Sequence, residues 1–254
     1  MDRKLWKRSY TSFPRFECPN CVKGTLAEKA GSFQLVEPKH ISNDLASEGV
    51  EGELANGRFI GFLTCSNKWC GETVCVAGDY ETRLHPQYNF EEDRDDSFEV
   101  TSYIPCSMRP APSVIALPKG LDINAHYHLL RAYELLWVDP ASCANRLRIV
   151  VEYLLDQLKI PRKGKKGARE DAQLNLAERI ELLKTEKPGH EEALTALRYV
   201  GNVGSHEGVA KFEDVLDCFD FLEEAMIELL EGPAAKRKER IQKFIATKGK
   251  PGSS

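Results

Sequence analysis

Cys18-Pro19-Asn20-Cys21-Val22-Lys23-Gly24 and Cys65-Ser66-Asn67-Lys68-Trp69-Cys70-Gly71 decide how the first half of this chain is read. Two thiolates three positions apart on a tight turn can reach one tetrahedral ion, and a following glycine lets the backbone turn. The second pair lies between two strand-like runs, Arg58 to Thr64 and Thr73 to Ala77, as the hairpin of a zinc ribbon would. Its spacing is wider than that of a standard knuckle, so Cys75 stands as a reserve ligand beside Cys65 and Cys70. The competing reading, buried apolar cysteines, is disfavoured by two spaced pairs each followed by glycine. Four thiolates leave no open coordination position, so the expected metal is a structural zinc held by Cys18, Cys21, Cys65 and Cys70.

The rest of the composition agrees with a reducing compartment. Of eight cysteines, five cluster between residues 18 and 75, while Cys106, Cys143 and Cys218 stand apart. In an intracellular protein such clustering points to metal before disulfide. No apolar run is long enough to cross a bilayer. The start, Met1 to Arg8, is basic but lacks the apolar centre of a signal peptide. The expected location is therefore the cytoplasm. The 254 residues are 42% hydrophobic and 29% charged, enough to build buried cores. A net charge of -4 argues against nucleic-acid binding over the whole surface but leaves room for a local basic patch.

Up to about Pro118 the chain reads as strands and turns: 33–36, 58–64, 73–77, 98–104 and 114–117 are rich in β-branched and aromatic residues. Residues 91–96 are an acidic turn or loop. Beyond Lys119 the hydrophobic period changes to between three and four. Leu147, Val150, Val151, Leu154, Leu155 and Leu158 form one helical stripe. Phe212, Val215, Leu216, Phe219, Leu222, Met226 and Leu229 form another. Shorter helices fit 125–138, 174–184 and 190–202. Cys143 and Cys218 lie on or beside these stripes and read as core. Three parts are expected: 1–118, a zinc-ribbon-like β module; 119–232, a helical bundle; 233–254, a basic tail.

Two segments could supply phosphate contacts. One is a loop with Arg162, Lys163, Lys165 and Lys166; the other is the tail with Lys236, Arg237 and Lys238. The alternative for both is a solvated, charged surface. In the helical half, Arg198, Asn202 and His206 recur every fourth residue and would line one side of a helix over about 12 Å at ~1.5 Å per residue. Gly201 and Gly204 weaken that helix, so close packing or a break must favour them. Arg148 and Glu152 sit one turn apart, either as a surface pair or as a partly buried pair that orients Arg198 or His206.

The order Arg148-xxx-Glu152, a helix carrying Leu174 and Ile180, then Arg198-x-x-Gly201-Asn202-x-x-x-His206 before a last long helix resembles a known family. It is an uncharacterised domain of unknown function, found alone or fused to restriction and anti-phage defence proteins, and grouped with the HEPN superfamily of small helical bundles. The resemblance covers roughly residues 117–230. It implies an α+β chain: a small N-terminal zinc-binding β module followed by an all-α HEPN-like bundle. It also implies a homodimer in which arginine and histidine meet at a cleft and cut RNA without metal. Histidine would move the proton, arginine would stabilise the charge on phosphorus, and asparagine would position either. Seven residues separate Arg198 from His206, against four to six in the ribonuclease motif, and Tyr199 follows the arginine. Three functions stay open: a defence module binding RNA, DNA or a partner protein; a metal-independent endoribonuclease; and a dimerisation adaptor.

Overall fold

The computed structural model describes residues 1–21, 23–47, 54–89 and 94–246, and the chain divides into two compact units. Residues 2–114 with 133–140 form the first, and residues 115–132 with 141–254, together with Met1, form the second.

The first unit is a curled antiparallel sheet. Its strands are β1 (Leu26–Glu28), β2 (Gln34–Val36), β3 (Leu54–Cys65), β4 (Thr73–Asn89) and β5 (Arg94–Arg109), with helix α1 (Lys39–Ser47) between β2 and β3. β1 and β2 both pair with β3, and β4 and β5 follow in order. Burial alternates along β3 and β4, so Phe59, Leu63, Val74, Val76 and Tyr80 share the inner face, while Ile60, Phe62 and Cys75 look outward. Two glycines of β3 admit neighbours closely. A β-carbon at Gly61 would meet the Phe33 ring at 2.8 Å, and one at Gly57 would lie 2.2 Å from the Val36 carbonyl oxygen.

Aromatic side chains fill this core. Trp6 packs on Phe16 and Trp137 at centroid distances of 5.1 and 5.7 Å. The Trp137 indole donates to the Lys7 carbonyl at 3.1 Å, so its polar end is satisfied. Phe13, Phe33, Phe59 and Tyr103 form a second group.

The second unit contains α2 (Ile123–Leu135) up to Ala132, α3 (Pro140–Gln157) from Ala141, α4 (Leu176–Glu186), α5 (Glu191–Glu207), α6 (Phe212–Glu231) and α7 (Pro233–Ala246). The stripes of α3 and α6 are buried, with Cys143 and Cys218 among them. Asn175 and Glu178 form a reciprocal capping box that starts α4. Gly208 and Gly232, both left-handed, end α5 and α6.

The expectation of a small β module followed by an all-α HEPN-like bundle is overturned. β3, β4 and β5 are 12, 17 and 16 residues long, so the sheet is larger than a zinc ribbon. The second unit is mixed. The stretch read as a basic loop is a hairpin of β6 (Lys163–Lys166) and β7 (Arg169–Gln173), turning at Gly167 with φ of +62°. Charge alternation across the hairpin explains it: Lys163 pairs with Asp171 at 2.8 Å and Lys165 with Glu170 at 3.1 Å. Residues 114–117 are not a strand; Val114 and Ile115 are buried in a segment punctuated by proline. The tail up to Ala246 is helix. Of the acidic stretch, residues 91–93 lie outside the described residues, and 94–96 open β5.

Candidate metal centre and the polar face of the helical unit

Pairing of β1 with β3 brings the two cysteine pairs together, since Leu26 lies opposite Cys65. The turns are zipped by Ser66 N–H donating to the Thr25 carbonyl at 2.9 Å and Thr25 N–H donating to Ser66 Oγ at 3.0 Å. The four sulfurs of Cys18, Cys21, Cys65 and Cys70 lie within 4.8 Å of one another. Two edges, Cys18–Cys70 and Cys21–Cys65, measure 3.7 Å. That is far beyond the ~2.05 Å of a disulfide. It equals the edge of a tetrahedron with metal–sulfur bonds of about 2.3 Å. Donor set and geometry both fit a closed four-thiolate metal site. Cys75 lies outside the cluster, because alternation puts it on the outward face of β4.

The wide spacing from Cys65 to Cys70 is absorbed locally. Asn67 accepts from Trp69 N–H through its side chain at 3.1 Å, and its carbonyl accepts from the N–H groups of Cys70 and Gly71. Gly71 then adopts φ of +61° to enter β4. Gly24 serves a different purpose: a β-carbon there would lie 2.5 Å from Cys65 Sγ. Amide groups surround the sulfurs. Asn67 N–H donates to Cys65 at 3.4 Å, Asn67 Nδ2 to Cys21 at 3.6 Å, and Asn20 Nδ2 to Cys70 at 3.5 Å. The Lys23 backbone N–H, foremost, draws the Cys21 thiol down to about 6. Burial pushes Cys65 up to about 12 and also raises Cys18.

In the helical unit α5 runs unbroken through its glycines, which serve close packing. A β-carbon at Gly204 would sit 2.6 Å from the Ala141 carbonyl oxygen, and one at Gly201 would sit 2.9 Å from Arg148 Cβ. Arg148 of α3 therefore crosses α5 at Gly201, next to Asn202 and one turn from Arg198. Arg148 and Glu152 form an ion pair at 3.2 Å, half-buried on both sides. The Arg198 guanidinium lies 4.3 Å from the Tyr199 ring, and its buried Nε has no hydrogen-bond partner. Asn202 is half-buried and His206 is exposed in the last turn of α5.

The four cations singled out in the sequence here, Arg162, Lys163, Lys165 and Lys166, each have a carboxylate. Besides Lys163 and Lys165, Arg162 pairs with Asp156 and Lys166 with Glu178 at 2.8 Å. Lys236 and Arg237 on α7 are exposed, and the side chain of Lys238 lies outside the described residues.

Residues 130–244 match the family model described as a domain of unknown function, DUF4145, and residues 7–105 match a second, DUF8608. No curated protein and no solved structure matches the chain. The expected likeness to a domain of unknown function thus holds for the helical half, and the N-terminal half resembles another. Neither description names the HEPN superfamily. No helix among the described residues is long and apolar enough to cross a membrane.

Sequence reasoning missed Arg179, which is 3% exposed on α4. The signal was a charge within the apolar stripe Leu176, Ile180 and Leu183. It also missed Asn67, whose role depends on turn geometry that spacing does not encode.

Proposed function

We propose that this chain is an RNA-binding module of anti-phage defence, in which zinc at Cys18, Cys21, Cys65 and Cys70 braces the sheet and the α3–α5 face engages phosphate. The observation that carries the reading is the glycine-mediated approach of α5 to α3. It gathers Arg148, Arg198 and Asn202, with a buried guanidinium N–H on Arg198 still lacking an acceptor. The accessible part of the half-buried Arg198 guanidinium, stacked on Tyr199, is a donor for which a phosphate oxygen is a natural acceptor. The likeness of Arg198 to His206 to domains fused to restriction proteins supports the defence setting. Lys163, Lys165 and Lys166 are each held by a carboxylate, so further phosphate contacts on this reading come from Lys236 and Arg237 of α7, in a dimer or a monomer alike.

Fluorescence anisotropy with single- and double-stranded RNA tests this, with and without chelator. Binding that weakens steeply with salt and drops at least tenfold in Arg198→Ala is expected. Absence of binding across several RNAs sinks the reading. Chelator-resistant cleavage lost in His206→Ala would replace it with an endoribonuclease.

A further inference from the structure

A recess of about 200 Å³ opens between α3, β6–β7 and the start of α4, lined among others by Arg148, Glu152, Arg162, Gln173, Asn175 and Arg179. Arg179 is the notable member. Its Nη1 donates to the Glu152 carbonyl at 3.3 Å, and Nη2 donates to the Ile160 carbonyl at 2.9 Å and to Asp156 at 2.7 Å. Its Nε is buried with no partner. Asp156 is shared, because Arg162 Nε also donates to it at 2.9 Å. Three guanidinium groups thus face two carboxylates, Glu152 and Asp156, and a positive charge is left over. Glu178 in the first turn of α4 caps Asn175 and pairs with Lys166, so those two charges cancel and the surplus stays with the three arginines. A charge surplus in a recess favours an anion.

We infer that this recess binds one phosphate-sized oxyanion, as the free ion or as the terminal phosphate of a nucleotide. Size limits the ligand. At ~30 Å³ per water the space holds about six waters, enough for a phosphate with part of its hydration but not for a base and ribose. A nucleotide would bind through its phosphate alone, with the nucleoside outside. The carboxylate of Glu152 opposes the anion and sets its affinity.

The test uses the full metal-loaded chain, titrated calorimetrically with inorganic phosphate and with adenosine 5′-monophosphate, against sodium chloride at matched ionic strength. Arg148 also belongs to the proposed RNA face, so the variants are Arg162→Gln and Glu152→Gln. Saturable binding of at least one probe is expected, weakened tenfold or more in Arg162→Gln and tightened several-fold in Glu152→Gln. A purely structural network does not give the second result, since loss of a carboxylate would only loosen it. Tighter binding of the monophosphate identifies a phosphate ester as the ligand; equal or weaker binding identifies the free ion. No saturable heat beyond the chloride control, or weaker binding in Glu152→Gln, overturns the site. RNA anisotropy on wild type is read separately, so the two proposals fail independently.

Discussion

Gly24 lies against the sulfur of Cys65, close enough that a β-carbon on residue 24 would stand 2.5 Å from Sγ. Its neighbour across the turn, Asn67, is also near, at 3.0 Å from the same position. The glycine is therefore required by the sulfur's position.

Gly24→Ala should displace Cys65 and open the tetrahedron. Zinc affinity is expected to fall by about 10- to 100-fold, the range seen when groups around a metal are disturbed. Competition with a chromogenic chelator measures it. Unchanged affinity would mean that Cys65 is not a ligand.

Cys70→Ser should lose the metal, while Cys75→Ser should retain one ion per chain. Elemental analysis of the purified variants checks both. Equal loss in the two would return Cys75 to the ligand set, against its outward position on β4.

Gly204→Ala carries opposed effects. Helix propensity favours alanine by about 1 kcal/mol. The approach of 2.6 Å to the Ala141 carbonyl oxygen forces α5 away from α3, at about 1–3 kcal/mol. A net loss of roughly 1 kcal/mol in urea unfolding is expected, and a gain would show that the helices yield easily.

Asp156 has its carboxyl held below the ordinary range, first by the hydrogen bond from Arg162 and then by the Arg179 charge. A depressed folded-state pKa stabilises above the unfolded value of about 3.9 and is lost as pH falls below it. Unfolding free energy should therefore decline through that window, and Asp156→Asn should flatten the decline. At neutral pH the same change leaves the buried Arg179 charge short of a partner, costing of the order of 2–4 kcal/mol.

Three tryptophans report on the fold. Trp69 is 97% exposed, whereas Trp6 and Trp137 are 4% and 6% exposed. Acrylamide should quench one accessible and two protected emitters, and Trp69→Phe should remove the accessible component with stability changed by no more than about 0.5 kcal/mol.

The cysteine cluster was legible because thiol chemistry restricts what paired cysteines can do, and strand parity places Cys75 outside it while Cys70 lies within. Helical stripes such as that of α6 were equally plain, since each buried residue recurs at helical spacing. The hairpin at Lys163 to Gln173 is masked in the sequence by its run of cations; Glu170 and Asp171, which pair with them across the strands, stand just beyond that run. β1 is three residues long and gains its stability from β3, which no local pattern announces. The lengths of β4 and β5 were obscured by polar residues beyond Arg83, where pairing with β5 continues without β3.

A metal held by the four cysteines would also impose an order on biosynthesis. Cys21 meets Cys65 across 44 positions of chain, and Cys18 meets Cys70 across 52. At ~5–20 residues per second, the first pair waits several seconds on the ribosome before its partners exist. During that wait the early thiols are open to oxidation or to the wrong metal, and the nascent aromatics from Trp6 to Phe16 have no sheet to cover. Once Cys70 is made, a bound metal would tie the N-terminal turn to the end of β3, while β4, β5 and Trp137 of the same unit are still to come.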